Sequence, residues 1–173
     1  MDELPVVLGL LDEAAKWLNA RKIDQWPSSF TGDATWRIDR IRRYVNEGRT
    51  FLAIDRASDE SIATFTITEL ADPEYAHGWP DGPENALYLF RMAVARAAAG
   101  NDIGGQIIQW ASNEAAQRGK KWLRIDVHRL NPALQSYYEE KGFVKVAEVL
   151  APDPTVIGRI RGSGALMQRP SIY

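Results

Sequence analysis

Ala97-Ala98-Ala99-Gly100-Asn101-Asp102-Ile103-Gly104-Gly105 is the stretch whose reading decides the fold. It has almost no side-chain bulk and opens directly into an amphipathic pattern, Ile103, Ile107, Trp110, Ala111 and Ala115, that closes at Arg118-Gly119. A bare loop lets backbone N–H groups approach an anion, and the start of a helix adds partial positive charge at the same point. The expected ligand therefore bears phosphate. Downstream, Trp122 to His128 reads as a strand with Leu123, Ile125 and Val127 on one face. Asn131-Pro132 is a helix start, a capping side chain followed by proline at the first helical position. That helix runs into Tyr138-Glu139-Glu140-Lys141-Gly142-Phe143 and stops at Gly142, and its tyrosine is a candidate proton donor.

Working outward, Leu4, Leu8, Leu11, Ala15 and Leu18 recur at helical spacing. Residues 20–34 read as a loop. Arg37, Arg40, Arg42 and Arg43 interleave with Trp36, Ile38, Ile41 and Tyr44 in a second helix ended by Gly48, its arginines read as a solvated face and Trp36 as core. Residues 50–54 and 62–68 are β-branched and aromatic around Asp55–Glu60, a hairpin signature. Residues 71–85 form a long insert with Asp72, Glu74, Asp81 and Glu84 and no Lys or Arg. Leu87 to Val94 is a strand, apolar throughout except for Arg91. Phe143 to Leu150 and Gly164 to Gln168 supply two more strands around a 151–158 loop. Two helices, three strands, then helix, strand, helix and strands imply helices flanking one sheet.

Composition narrows the function classes. The 173 residues suit one domain, and a net charge of -2 gives no global attraction to nucleic acid or membrane. With no cysteine there is no disulfide, thiolate nucleophile or cysteine-ligated metal, and with two histidines a zinc site is not expected. Met1-Asp2-Glu3-Leu4-Pro5 lacks the basic and apolar regions of a signal peptide, so a cytoplasmic location is expected.

The order of elements and these motifs resemble the GNAT superfamily of acetyl-CoA-dependent N-acetyltransferases, over roughly the whole chain and most strongly from Leu87 to Phe143. In that family a strand like Leu89-Phe90-Arg91-Met92-Ala93-Val94 leads into a glycine-containing pyrophosphate loop, and a later helix begins after asparagine and ends in Tyr-x-x-x-Gly-Phe. The resemblance implies an α/β (α+β) fold: a single GNAT-like domain over 1–173 with a central, mostly antiparallel mixed sheet flanked by helices. It also implies acetyl-CoA as co-substrate, without a metal. Backbone groups at Met92 and Val94 would hold the pantetheine arm and amides at Asn101, Asp102, Ile103, Gly104 and Gly105 the pyrophosphate, with Ala93, Ala99 and Gly100 completing the coenzyme-binding stretch. Asn131 and Tyr138 would make further coenzyme contacts. The loop departs from the family's pattern: Ala99 stands where arginine or glutamine is usual and Asp102 at the first glycine. Asp102 either caps the helix or crowds the diphosphate.

No Ser-His-Asp or Cys-His set is present, so direct attack of an amine on the thioester in a ternary complex is expected. Tyr138 is then the acid for the departing thiolate by resemblance, and Tyr137 faces the core. Glu69, at the end of a strand, is the candidate base, with a water chain or His128 as alternatives. Trp26, Tyr75 and Trp79 lie where the family builds its acceptor pocket. The acidic insert hints at a cationic acceptor. The expected partner is a small-molecule primary amine, with a peptide amine or a non-catalytic coenzyme-binding scaffold as alternatives. The expected protein is a monomer or homodimer.

Overall fold

Leucines at helical spacing and a proline in the first turn form α1, Leu4–Ala20, which buries Leu4, Val7, Leu8, Leu11 and Ala15 along one face. The computed structural model describes residues 2–23, 26–27, 29–32 and 35–171. Helix α2, Thr35–Asn46, buries Ile41 and exposes Arg40, Arg42 and Arg43, while Arg37 is half-buried. It ends at Gly48, whose φ of +68° suits a residue without Cβ. The N–H of Arg49 donates to Tyr44 O at 2.9 Å and that of Gly48 to Val45 O at 3.0 Å, closing a Schellman cap. Trp36, expected in the core, is 45% exposed, with the Arg37 guanidinium over its ring at 4.9 Å. It lies in the first turn of α2, away from the buried face that Ile41 marks.

Strands β1, Thr50–Asp55, and β2, Glu60–Thr68, pair as the expected hairpin. The Thr50 and Thr66 hydroxyls meet at 2.9 Å, and the Phe51 and Phe65 rings stack at 5.4 Å. Then follow β3, Ala86–Val94, α3, Ile103–Gln117, β4, Trp122–His128, α4, Pro132–Glu140, β5, Val144–Glu148, and β6, Ser163–Pro170. The six strands form one sheet in the order β1-β2-β3-β4-β6-β5. The β4/β6 and β5/β6 ladders are antiparallel, and β3 pairs with β4 in parallel. That parallel ladder covers three pairs, from Ala86↔Trp122 to Tyr88↔Arg124. The fold is thus α+β with a mostly antiparallel mixed sheet.

The chain divides into two compact units, Met1–Ile67 with Phe90–Gln106, and Thr68–Leu89 with Ile107–Tyr173. Strand β3 and helix α3 contribute to both. In the first unit, the buried face of α1 packs with Phe30, Ile41 and Ala93. In the second, Tyr75, Trp79, Ala86, Tyr88, Val149, Ala151 and Leu166 form a core.

The 71–85 insert is built into this second core. A Cβ added to Gly78 would stand 2.6 Å from both Leu166 Cδ1 and Val149 Cγ2, so any side chain there would have to displace these packed methyl groups. Arg124 of β4, 0% exposed, pairs with Asp81, donates to Gly82 O at 2.7 Å and Gln168 Oε1 at 3.0 Å, and lies over the Trp79 ring at 4.5 Å. Asp81 also accepts the Trp122 indole N–H at 2.7 Å, and Asp72 pairs with Arg161 at 2.9 Å. Two of the four acidic residues of the insert are therefore engaged by the protein's own cations. The hint of a cationic acceptor loses that much support.

Candidate active site

The first unit holds the residues expected to grip the pantetheine arm and the diphosphate. The end of β3 presents Met92, Ala93 and Val94, with Ala93 buried in the core. A short 3-10 turn, Arg96–Ala98, follows and leads to exposed Ala99. Gly100, at φ +89°, has open space where a Cβ would stand, and Asp102 is left-handed at φ +51°. Asn101 Nδ2 donates to Ala98 O at 3.2 Å, which closes the loop on itself. Helix α3 then starts with Ile103, buried Gly104 and Gly105.

The loop carries one carboxylate. Asp102 folds back over the first turn of α3, so that a Cβ on Gly105 would lie 2.4 Å from Asp102 Oδ2 and 2.6 Å from Oδ1. Its backbone carbonyl accepts the Gln106 N–H at 3.1 Å. A carboxylate so placed complements the positive end of the helix, as a cap does. Bare backbone and open space at Gly100 fit a diphosphate; the charge on Asp102 opposes one. The cation usual at position 99 has no counterpart there. Arg96, three residues earlier, lies over the Trp17 ring of α1 at 4.4 Å.

Of the expected acceptor-pocket residues, Trp26 lies in the first unit and is partly buried, its ring edge-on to Phe30 at 5.3 Å. The segment after it is pinned by Asp12 of α1. That carboxylate accepts from the N–H of Phe30, the N–H and hydroxyl of Thr31, and the Ser29 hydroxyl at 3.2 Å. Burial raises the Asp12 pKa, but these donors outweigh it and hold the carboxyl below its ordinary value. Tyr75 and Trp79 need correction. They are 2% and 5% exposed and pack in the second core, because the insert that carries them folds onto the sheet. The Tyr75 hydroxyl is engaged by Ser163 Oγ at 2.7 Å.

The second unit carries the expected chemistry. Asn131 caps α4, its Oδ1 accepting the Leu134 N–H at 3.0 Å. At the seventh residue of the helix, the Tyr138 ring sits edge-on to Tyr137 at 5.2 Å and to Phe143 at 5.5 Å. Burial pushes the Tyr138 phenol well above its ordinary range, and the charges of Tyr137 and Asp126 add to the shift. The phenol is thus held in its proton-bearing form. Tyr137, expected in the core, is only partly buried, with Lys141 over its ring at 5.5 Å.

Glu69 is corrected as the base. Its carboxylate is 45% exposed and paired with Lys120 at 2.9 Å and Arg118 at 3.4 Å. The Lys120 hydrogen bond, against a small burial effect and with help from Arg118, lowers its pKa. A carboxylate held ionised by two cations is a poor proton acceptor at neutral pH. His128 is also engaged, its Nδ1 accepting the Leu130 N–H at 3.1 Å. The sequence reading did not anticipate that Arg124 is wholly buried and Arg91 half-buried; for Arg91 the signal was a lone cation inside an otherwise apolar strand.

A family model described as an acetyltransferase (GNAT) domain matches residues 46–145. Over 139 residues the chain is 31% identical to the Bacillus subtilis (strain 168) protein called "Uncharacterized N-acetyltransferase YesJ", covering 79% of this chain and 74% of that protein. A GNAT-family acetyltransferase structure from Listeria monocytogenes is similar at TM-score 0.72 and 21% identity, over 97% of this chain and 89% of that one. A spermidine N-acetyltransferase from Vibrio cholerae, in complex with CoA and spermine, is similar at TM-score 0.63 and 14% identity, over 98% and 90% of the two chains.

Proposed function

Because the chain belongs to the GNAT acetyltransferase family and is an acetyl-CoA-dependent N-acetyltransferase, we propose that it acetylates the primary amine of a small molecule by direct attack in a ternary complex. The observation that carries this reading is the small-residue loop at 97–105, with Gly100 open, running into α3 inside the matched span. It supports placing the coenzyme diphosphate at the start of α3. The spermine in the Vibrio cholerae relative supports a small amine as the acceptor class. When bound, acetyl-CoA supplies an acetyl group activated as a thioester.

Met92 N–H donates to the carbonyl oxygen as the acceptor nitrogen bonds to the carbonyl carbon and negative charge builds on that oxygen. Collapse of the adduct breaks the carbon–sulfur bond, and the sulfur leaves with the electron pair. Tyr138 gives its phenolic proton to that sulfur. The proton lost by the nitrogen passes to water, and Tyr138 is reprotonated from solvent. Burial disfavours phenolate and thiolate alike, so the transfer is less uphill than the raised phenol alone suggests. With Glu69 committed to two cations, the amine enters from its neutral fraction in solvent.

The test is thiol release from acetyl-CoA over a panel of amines, amino acids, aminoglycosides and peptides. For the best acceptor, double-reciprocal plots against both substrates are expected to intersect. Parallel lines, the mark of an acyl-enzyme, would overturn the ternary-complex reading. Turnover confined to peptides would overturn the small-molecule reading.

A further inference from the structure

Among the described residues of the first unit, the least satisfied charge is Arg91, on β3 next to Met92. Its Nη1 is buried and has no hydrogen-bond partner among the described residues. Its backbone is left-handed at φ +50°, a conformation that costs a non-glycine residue energy and is uncommon within a strand. The side chain is positioned by rings, with the guanidinium 5.5 Å from the centre of Tyr44 and 5.2 Å from that of Phe90. Arg40 and Arg43 of α2 act on it as like charges. Burial first, and then Arg40 and Arg43 against the opposing influence of Tyr44, bring the Arg91 pKa down to about 10. Burying a cation beside two more cations is costly, and an incoming anion would relieve that cost.

Resting on the function proposed above, we infer that Arg91, backed by Arg40 and Arg43, receives a carboxylate on the acceptor, so that the acceptor is an amino acid or a similar amino-carboxylate. The position argues for the acceptor as the source of the anion. Arg91 adjoins the residue assigned to the thioester oxygen, whereas the diphosphate is assigned eight or more residues further on, from Ala99 to Gly105. The charged part of the coenzyme belongs at that far end, and the reacting carbon at this one. A polycation would meet three arginines here. Planar guanidinium donors also match a carboxylate in geometry.

The test pairs each common amino acid with its amide as acceptor, at saturating acetyl-CoA, and follows thiol release. Wild type is expected to favour at least one free carboxylate over its amide in kcat/KM by about ten- to a hundredfold, the worth of charge-assisted hydrogen bonds. Arg91→Met should erase that preference mainly through KM, leave acetyl-CoA affinity unchanged by calorimetry, and raise the Tm of the free enzyme. Arg91→Lys should restore part of the preference. Arg43→Gln, at an exposed position, should weaken it in the same direction and guards against a misfolded Met variant. Equal use of acids and amides, or no amino acid turned over by an enzyme that binds acetyl-CoA, overturns the inference and leaves the acetyltransferase standing. Loss of acetyl-CoA affinity in Arg91→Met assigns the anion to the coenzyme and also overturns it. Failure of wild type to bind acetyl-CoA overturns the underlying reading instead.

Discussion

The carboxylate of Asp102 lies across Cα of Gly105, so close that a Cβ there would stand 2.4 Å from Oδ2. Residue 105 must be glycine for Asp102 to fold over the start of α3. Gly105→Ala forces the carboxylate outward. Moving the carboxylate off the helix start costs about 1 kcal/mol, as loss of a cap does, and alanine's helix propensity returns nearly as much, so Tm should barely move. Acetyl-CoA affinity should fall several-fold by calorimetry, because the displaced charge then faces the diphosphate. Asp102→Asn keeps a residue tolerant of left-handed φ and removes the charge; it should tighten binding several-fold. The double variant should recover most of the loss. If Asp102→Asn weakens binding instead, the carboxylate organises the loop rather than opposing the ligand.

Desolvation of the half-buried Tyr138 raises its phenol further above neutral pH. Tyr138→Phe keeps the ring packing on Phe143 and should lower kcat about a hundredfold or more, with acetyl-CoA affinity unchanged. Tyr137→Phe is the control and should retain nearly full turnover. Since the phenol's pKa lies above its ordinary value of 10.0, Tyr138 should produce no falling limb in the kcat profile up to pH 10. The unfolded chain loses this proton first, so Tyr138 lowers stability only as pH rises above 10.0. An unchanged rate in Tyr138→Phe, measured where chemistry limits turnover, would assign the proton to solvent.

Arg124 and Asp81 tie the insert to β4. Asp81→Ala leaves a wholly buried guanidinium without its counter-charge and should cost about 3 kcal/mol, the lower end for breaking such a pair because Asp81 is itself 36% exposed. Chemical denaturation measures it. The Trp122 indole N–H, and then Arg124, hold the Asp81 carboxyl below 3.8 against slight burial. Its stabilisation is complete above that value and drains away as pH falls through the lower folded-state pKa. Asp81→Ala should therefore flatten the acid limb of the stability profile, and an unchanged limb would contradict the assignment.

The order of elements was legible because each carried its own local signal. Examples are the Asn131-Pro132 start of α4, the Gly48 end of α2, the hairpin composition of β1 and β2, and the stripe of α3. The errors arose where tertiary packing overrides local pattern. Tyr75 and Trp79 sit among turn residues and read as loop side chains, yet that segment folds onto the sheet and buries both. Arg124 alternates with Leu123 and Ile125 along β4, and what buries it with a counter-ion is the same covering segment, which no local pattern announces. Glu69 stands at a strand end, but its neighbours Arg118 and Lys120 come from beyond α3, out of reach of a local reading. The left-handed backbone of Arg91 has no sequence signature at all.

The central claim is that the start of α3 holds the coenzyme diphosphate, and amide NMR tests it most directly. Titration of acetyl-CoA into nitrogen-15-labelled protein should shift the N–H signals of Ala99 to Gly105 together with those of Met92 and Val94. S-acetylpantetheine, which has the thioester but no diphosphate, should move Met92 and Val94 and leave Ala99 to Gly105 in place. Saturation with acetyl-CoA without movement at Ala99 to Gly105 would contradict the account.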